Sequence, residues 1–194
     1  MDKITLELGP TQKVFISSDP HYGHKNIITF CKRPFADLKE MHKTLIDNWN
    51  SVVADGDIVY LLGDINWSKS SHELNRILRQ LKGQIGIIPG NHDATQALRA
   101  LPSHCVLLSD IVHLWAKINE ISYSAVLSHY PLVTWMGRER GVINLHGHIH
   151  SSPYEHDGYD ATFSSPQHYD IGVDNNNFTP IELIKIPNLC KKEQ

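Results

Sequence analysis

Cysteine is scarce in this 194-residue chain, and its three copies do not form a pattern. Cys31, Cys105 and Cys190 are odd in number and far apart, with no Cys-x-x-Cys pair. That excludes a disulfide framework and fits reduced thiols in a cytosolic protein. Long apolar runs are also missing. None approaches the ~20 residues that span a bilayer, and residues 1–7 lack the charged-then-apolar pattern of a signal peptide. No membrane association is expected. Net charge is small, at −3, with a pI near 6.5. A protein that coats nucleic acid by charge alone is thereby disfavoured, whereas a small nucleotide or a nucleic-acid end is not. Repeats and low-complexity tracts are absent.

Histidine is what the chain has in excess, 13 of 194 residues. Otherwise the composition is that of an ordinary globular protein, and the length predicts a single domain over residues 1–194. Ile4–Leu8 and Val14–Ser18 around Gly9-Pro10-Thr11-Gln12 predict a hairpin. Asp37 with Glu40 has capping-box spacing, and Leu38, Met41, Leu45, Trp49 and Val52 recur at helical intervals. Ile58–Leu62 is a buried strand. Ser70 with Glu73 begins a second helix, which buries Leu74, Ile77, Leu78 and Leu81 and stops by Gly83. Ile85–Ile88 is another buried strand, and residues 94–101 predict a third helix, capped by Asp93 and ended by Pro102. The second half is mostly β: a hairpin of Ile111–Ile118 and Ile121–Leu127, then strands at Val142–Leu145, Tyr169–Val173 and Pro180–Ile186. Residues 151–166 read as a loop. The order predicts an α/β fold with two sheets packed as a sandwich and helices outside.

Five short motifs run down the chain, four of them directly after or ending such an apolar run: Asp19-Pro20-His21, Gly63-Asp64, Gly90-Asn91-His92-Asp93, His129, and His146-Gly147-His148-Ile149-His150. Parallel strands deliver their C-terminal ends to one edge, so residues scattered over 130 positions would meet there. Singly, each has an ordinary reading. Asp19 and His21, on an extended segment favoured by Pro20, reach one ion or form a turn. Asp64 caps a helix or binds a metal. Asn91 offers a neutral oxygen ligand. Asp93 fits a helix cap better than a ligand and is also placed to orient His92, which has no structural task of its own. His146, His148 and His150 alternate, and Gly147 would let the chain bend among them. Jointly, five coincidences at strand ends are improbable, and a metal site is expected.

This ordered set resembles the calcineurin-like metallophosphoesterase superfamily, whose fold is a four-layer αββα sandwich. The likeness runs over residues 14–186. Ser18-Asp19-Pro20-His21-Tyr22-Gly23-His24, Asn48-Trp49-Asn50 and Gly172-Val173-Asp174 with Pro180 resemble small phage and bacterial members. The resemblance implies two divalent ions. One would be held by Asp19, His21, Asp64 and His150, the other by Asp64, Asn91, His129 and His148. It also implies that His92, with Asp93 beside it, serves catalysis as proton donor or phosphate contact. Two such cations clamp a phosphoryl group and lower the pKa of a bridging water, so that hydroxide attacks phosphorus. Manganese is favoured; iron, zinc and nickel also suit mixed oxygen and imidazole ligands. One departure is visible: where many members carry a further aspartate, this chain has Trp67.

The expected activity is hydrolysis of phosphodiesters or phosphomonoesters, nucleotide-like or otherwise small. A catalytically silent scaffold of the same fold is the alternative. Residues 130–141 leave and re-enter the metal edge, so Arg138 or Arg140 would grip phosphate and Trp135 would stack on a base, unless the segment is a solvated loop. His24 reads as a substrate contact or a helix-start residue. Oligomeric state is not legible.

Overall fold

Strands that are apolar without alternation are covered on both faces, and three lie side by side here. β2 (Val14–Ser17), β3 (Ile58–Leu61) and β4 (Gln84–Ile87) pair in parallel. β5 (Cys105–Leu107) extends them in parallel beyond β4, and β10 (Ile181–Glu182) closes the other edge antiparallel to β2. The second sheet is built from β1 (Asp2–Glu7), β6 (Ile111–Ile118), β7 (Ile121–Ser128), β8 (Ile143–His146) and β9 (His168–Asp170), in that order, with β11 (Cys190–Lys192) against β7. This computed structural model describes residues 1–9, 11–151, 165–186 and 190–192. Residues 152–164 of the expected 151–166 loop lie outside the described residues.

Side chains alternate across each strand, so the first sheet feeds two cores. Phe15, Val59, Leu61, Ile85 and Ile87 pack under α1 (Lys25–Phe30), α2 (Leu38–Val52) and α3 (Ser71–Leu78) through Ile27, Met41, Leu45, Trp49, Leu74 and Ile77. Val14, Ile16, Tyr60, Leu62 and Ile88 face the second sheet and meet Val112, Leu114, Ala125, Leu127, Ile143 and Leu145. The sandwich flanked by helices is therefore observed, with α1, α2 and α3 on the first sheet. Among the described residues, a small cluster of Val126, Trp135 and Val142 covers the far face of the second sheet. No helix among the described residues is long and apolar enough to cross a membrane.

The capping of α2 is as expected: Asp37 Oδ1 accepts from the Glu40 amide at 2.9 Å, and Glu40 reaches back to the Ala36 amide at 2.6 Å. Three expectations fail. β1 and β2 do not form a hairpin. β1 pairs in parallel with β6, with Ile4 opposite Leu114, so the turn after Leu8 carries the chain between sheets. Alternation fixes that β1 has one covered face but not who its neighbour is. The helix over 94–101 shrinks to one 3-10 turn, Ala97–Arg99, because the Asp93 carboxylate is engaged elsewhere. The strand expected over Pro180–Ile186 is only two residues long, Ile181–Glu182, before a 3-10 turn at Leu183–Lys185. Three elements, α1, β5 and β11, are not anticipated by the residue pattern.

Topology places the ends of β2, β3 and β4 at the same edge as those of β7, β8 and β9. A hydrogen bond joins the two sheets there, Val173 N–H to the Ser18 carbonyl at 3.0 Å, and Gly147 N–H to the His129 carbonyl at 2.9 Å ties the ends of β8 and β7 within the second sheet.

Candidate metal centre

Beyond each strand end the backbone turns sharply. Asp19, His21, Asp64, His148 and His150 all take left-handed φ, between 48° and 71°. The extended geometry expected for Asp19–His21 is thus replaced by a tight turn, and the 146–150 stretch bends after His146, the last residue of strand β8. Asp and His enter this region more readily than most residues. The turns are pinned by Asp19 N–H to the Gly63 carbonyl (3.1 Å), His21 N–H to the Asp64 carbonyl (3.0 Å), and His148 N–H to Asp19 Oδ2 (2.9 Å). Two glycines allow the approach. A Cβ at Gly90 would stand 2.3 Å from Asp64 Oδ1, and one at Gly147 2.1 Å from Asp19 Oδ2.

These turns gather two groups of ligand-type atoms. In the first, atoms of Asp19, His21 and His150 lie within 4.8 Å of one another. Asp19 Oδ1 and His21 Nε2 are buried and have no hydrogen-bond partner, which is costly unless a cation meets them. Each lies 3.9 Å from the other, and His150 Nε2 is 3.9 Å from the same Asp19 oxygen. Burial pushes the Asp19 carboxyl up to about 6, against the pull of His150 and His129. Burial, then the charge of His150, holds His21 far below the usual histidine range, so it stays neutral and able to ligate. Burial opposes the charged form of His150 as well. Its hydrogen bonds to Asp174 and Cys31 and the Asp19 charge outweigh that and raise it to about 11. The cluster demands positive charge.

Behind it stands a support that the residue pattern did not reveal. His150 Nδ1 donates to Asp174 Oδ2 at 2.8 Å, which aims Nε2 at the cluster. Arg33, buried, grips Asp174 with Nε (2.8 Å) and Nη2 (2.9 Å). The same guanidinium donates to the carbonyls of Pro20 (2.9 Å) and Asp19 (2.8 Å).

The second group is Asp64, His129 and His148, again with ligand atoms within 4.8 Å. His129 Nδ1 donates to the Leu62 carbonyl at 2.8 Å, which turns its Nε2 toward Asn91 Oδ1 at 2.9 Å. Burial and the neighbouring His129 keep His148 below the usual range, with Asp64 opposing. Asp64 stands between the groups: Oδ2 is 3.5 Å from His21 Nε2 and Oδ1 is 3.6 Å from His129 Nε2. Carboxylate, amide and imidazole donors with buried unmet atoms fit divalent transition metals.

The remaining candidates separate. His92 belongs to neither group. Its ring is 5.5 Å from that of His21, its side chain is 39 % exposed, and its N–H is held by Asp64 Oδ1 at 2.8 Å. Asp93 neither caps a helix nor touches the His92 ring; its two oxygens accept from the amides of Ile65 and Gly90, both at 2.9 Å, and fix the turn that carries Asn91 and His92. His24 is buried behind His21, Nδ1 to Nδ1 at 3.3 Å. Trp135 is not available for a base: it is buried and donates Nε1 to the Val142 carbonyl at 2.8 Å. Arg138 is spent on its own loop, donating to the Val133 carbonyl and to Gln167 and lying over the Trp135 ring. Arg140 is exposed on the same 3-10 turn, where its charge is felt by His113 of β6.

The chain is 35% identical over 182 residues to an uncharacterised protein of Methanocaldococcus jannaschii, covering 93% of each. It is 30% identical to the Gene 66 protein of Mycobacterium phage L5, over 71% of this chain and 77% of that one. The crystal structure of a protein of unknown function from Aquifex aeolicus superposes with a TM-score of 0.66 at 22% identity, covering 89% of this chain and 96% of the other, which is a likeness of fold. The calcineurin-like phosphoesterase model matches residues 12–185, and on that match the chain belongs to the calcineurin-like phosphoesterase family.

Proposed function

We propose that this chain is a dinuclear metal-dependent phosphoesterase acting on nucleotide-like or other small phosphoesters, or on nucleic-acid ends. One ion would be held by Asp19, His21, Asp64 and His150, and the other by Asp64, Asn91, His129 and His148. The observation that carries this reading is Asp64, whose two oxygens are divided between the two ligand groups. Manganese is the favoured metal, with iron, zinc or nickel as substitutes. Such a pair supplies Lewis-acid charge to a phosphoryl group and acidifies water.

The chain's own residues do the rest. Left-handed turns hold the ligands in position before any ion arrives. Asp174 and Leu62 set the ring orientations of His150 and His129 through Nδ1. His92, half out of the protein beside Asp64, is free to deliver a proton to the departing oxygen, a contribution of roughly 10²–10⁴-fold in such reactions.

Calorimetric manganese titration of Asp64→Asn and His21→Ala, with assays on aryl phosphomonoesters and phosphodiesters, tests the reading. Asp64→Asn should weaken both ions and abolish turnover, whereas His21→Ala should weaken chiefly one. Equal single-site losses, or one ion in the parent protein, would refute the bridging role.

A further inference from the structure

An unusual surface borders the metal centre on the His92 side. Trp67 is 47% exposed, and Phe30, at 65%, is exposed nearby. Large exposed rings grouped together commonly mark binding sites. Trp67 stacks face to face on His24, with centroids 3.8 Å apart and planes inclined by 11°. The His92 ring is 4.9 Å from the indole and 6.3 Å from His24. These three separations close a triangle with a near-right angle at Trp67. His92 therefore lies off the edge of the indole, and among the described residues no second ring covers the face opposite His24.

The platform is held firmly. The Trp67 amide donates to the Tyr22 carbonyl at 2.9 Å. His24, which backs the indole, is hydrogen-bonded to His21 and meets Phe30 edge-on at 6.3 Å. The height of the indole is thus tied to the same loop that supplies Asp19 and His21. Its free face lies beside the group that would protonate the leaving oxygen.

Resting on the phosphoesterase reading, we infer that Trp67 is a specificity-determining residue that stacks on the base of a nucleoside leaving group. In a nucleoside ester one sugar separates the departing oxygen from the base. That spacing suits an indole next to His92 better than one across the metal centre. The position carries no charge of its own, so it selects a flat π-surface instead of a second phosphate.

Two measurements test this. Adenosine 5′-monophosphate and ribose 5-phosphate, and their methyl diesters, share a primary alkoxide leaving group and differ in the base. In the manganese-loaded protein, kcat/KM should favour the adenosine ester, and Trp67→Ala should reduce that preference by about 5- to 150-fold, the range for loss of one base–aromatic stack. Trp67→Phe should keep much of it. Independently of turnover, adenosine should quench tryptophan emission saturably while ribose does not, and Trp67→Phe should abolish the quenching. An unchanged preference in Trp67→Ala, or quenching that survives Trp67→Phe, overturns the assignment. If no phosphoester is hydrolysed with any metal, the enzymatic reading fails, and the adenosine titration still decides whether the platform binds a base.

Discussion

Replacing Arg33 with methionine removes one guanidinium that makes four hydrogen bonds to oxygen, all to groups buried behind the first ligand cluster. Two of them neutralise Asp174, which is 7% exposed. The other two satisfy the carbonyls of Asp19 and Pro20. Arg33→Met thus strips Asp174 of one of its two positive partners, leaving it His150, and leaves two carbonyls without donors. Breaking a buried pair in this way costs about 3–5 kcal/mol, a large part of the ~5–15 kcal/mol that holds a typical domain folded. At about 2–4 °C per kcal/mol for a chain of this size, Tm should fall by about 6–20 °C. Metal affinity should fall by roughly 10–100-fold as His150 loses its fixed orientation. A double-mutant cycle separates the pair from its parts. Urea denaturation of metal-free Arg33→Met, Asp174→Asn and the double variant should show the double barely worse than the worse single, because either substitution alone already breaks the pair. Additivity of the two losses within about 0.5 kcal/mol would show that the residues act independently and would refute the argument.

The leaving group should set how much His92 matters. His92→Ala should retain both ions, lose roughly 10²–10⁴-fold on alkyl esters and lose less on p-nitrophenyl esters; equal losses in kcat/KM would assign it to phosphate binding instead. Metal affinity should rise with pH. His150 sits near 11 when metal-free, above the unperturbed value, so it must release a proton to ligate across the neutral range. Calorimetry between pH 6.5 and 8.5 in buffers of differing ionisation enthalpy should therefore record proton release, and a pH-independent affinity would contradict the reasoning. Gly147→Ala forces a methyl against Asp19 and Ser18 and should cost about 1–3 kcal/mol with loss of metal binding, whereas Gly56→Ala, with nothing within 4 Å, should change neither in the same titrations.

The motifs were legible because a run of buried strand residues followed by a ligand type is a local pattern. Val59–Leu62 before Asp64, and Leu145 before His148, announce both the strand and what its end carries. Partners were not legible. Nothing in Ile4–Leu8 says that its neighbour is the strand starting at Ile111, over a hundred residues on. Arg33 sits in Cys31-Lys32-Arg33-Pro34-Phe35, a string with no periodicity, and its partner is 141 residues away. Asp93 has capping spacing, and only the fold reveals that the Ile65 and Gly90 amides claim it first. Trp67 was visible only as a departure from a family pattern, and Trp135 had the chemistry expected of a stacking residue but was needed to cover the second sheet.

The left-handed backbone at Asp19, His21, Asp64, His148 and His150 sets stability against function. Each such residue costs of order 1 kcal/mol or more relative to a relaxed conformation, and glycine at the same position would relieve it. Substituting glycine for His148 or His150 therefore removes a ligand and eases the fold in one step. A lineage selected only for a sturdier chain would drift towards losing these residues. Their presence at five positions on three turns is a cost borne by the folded state.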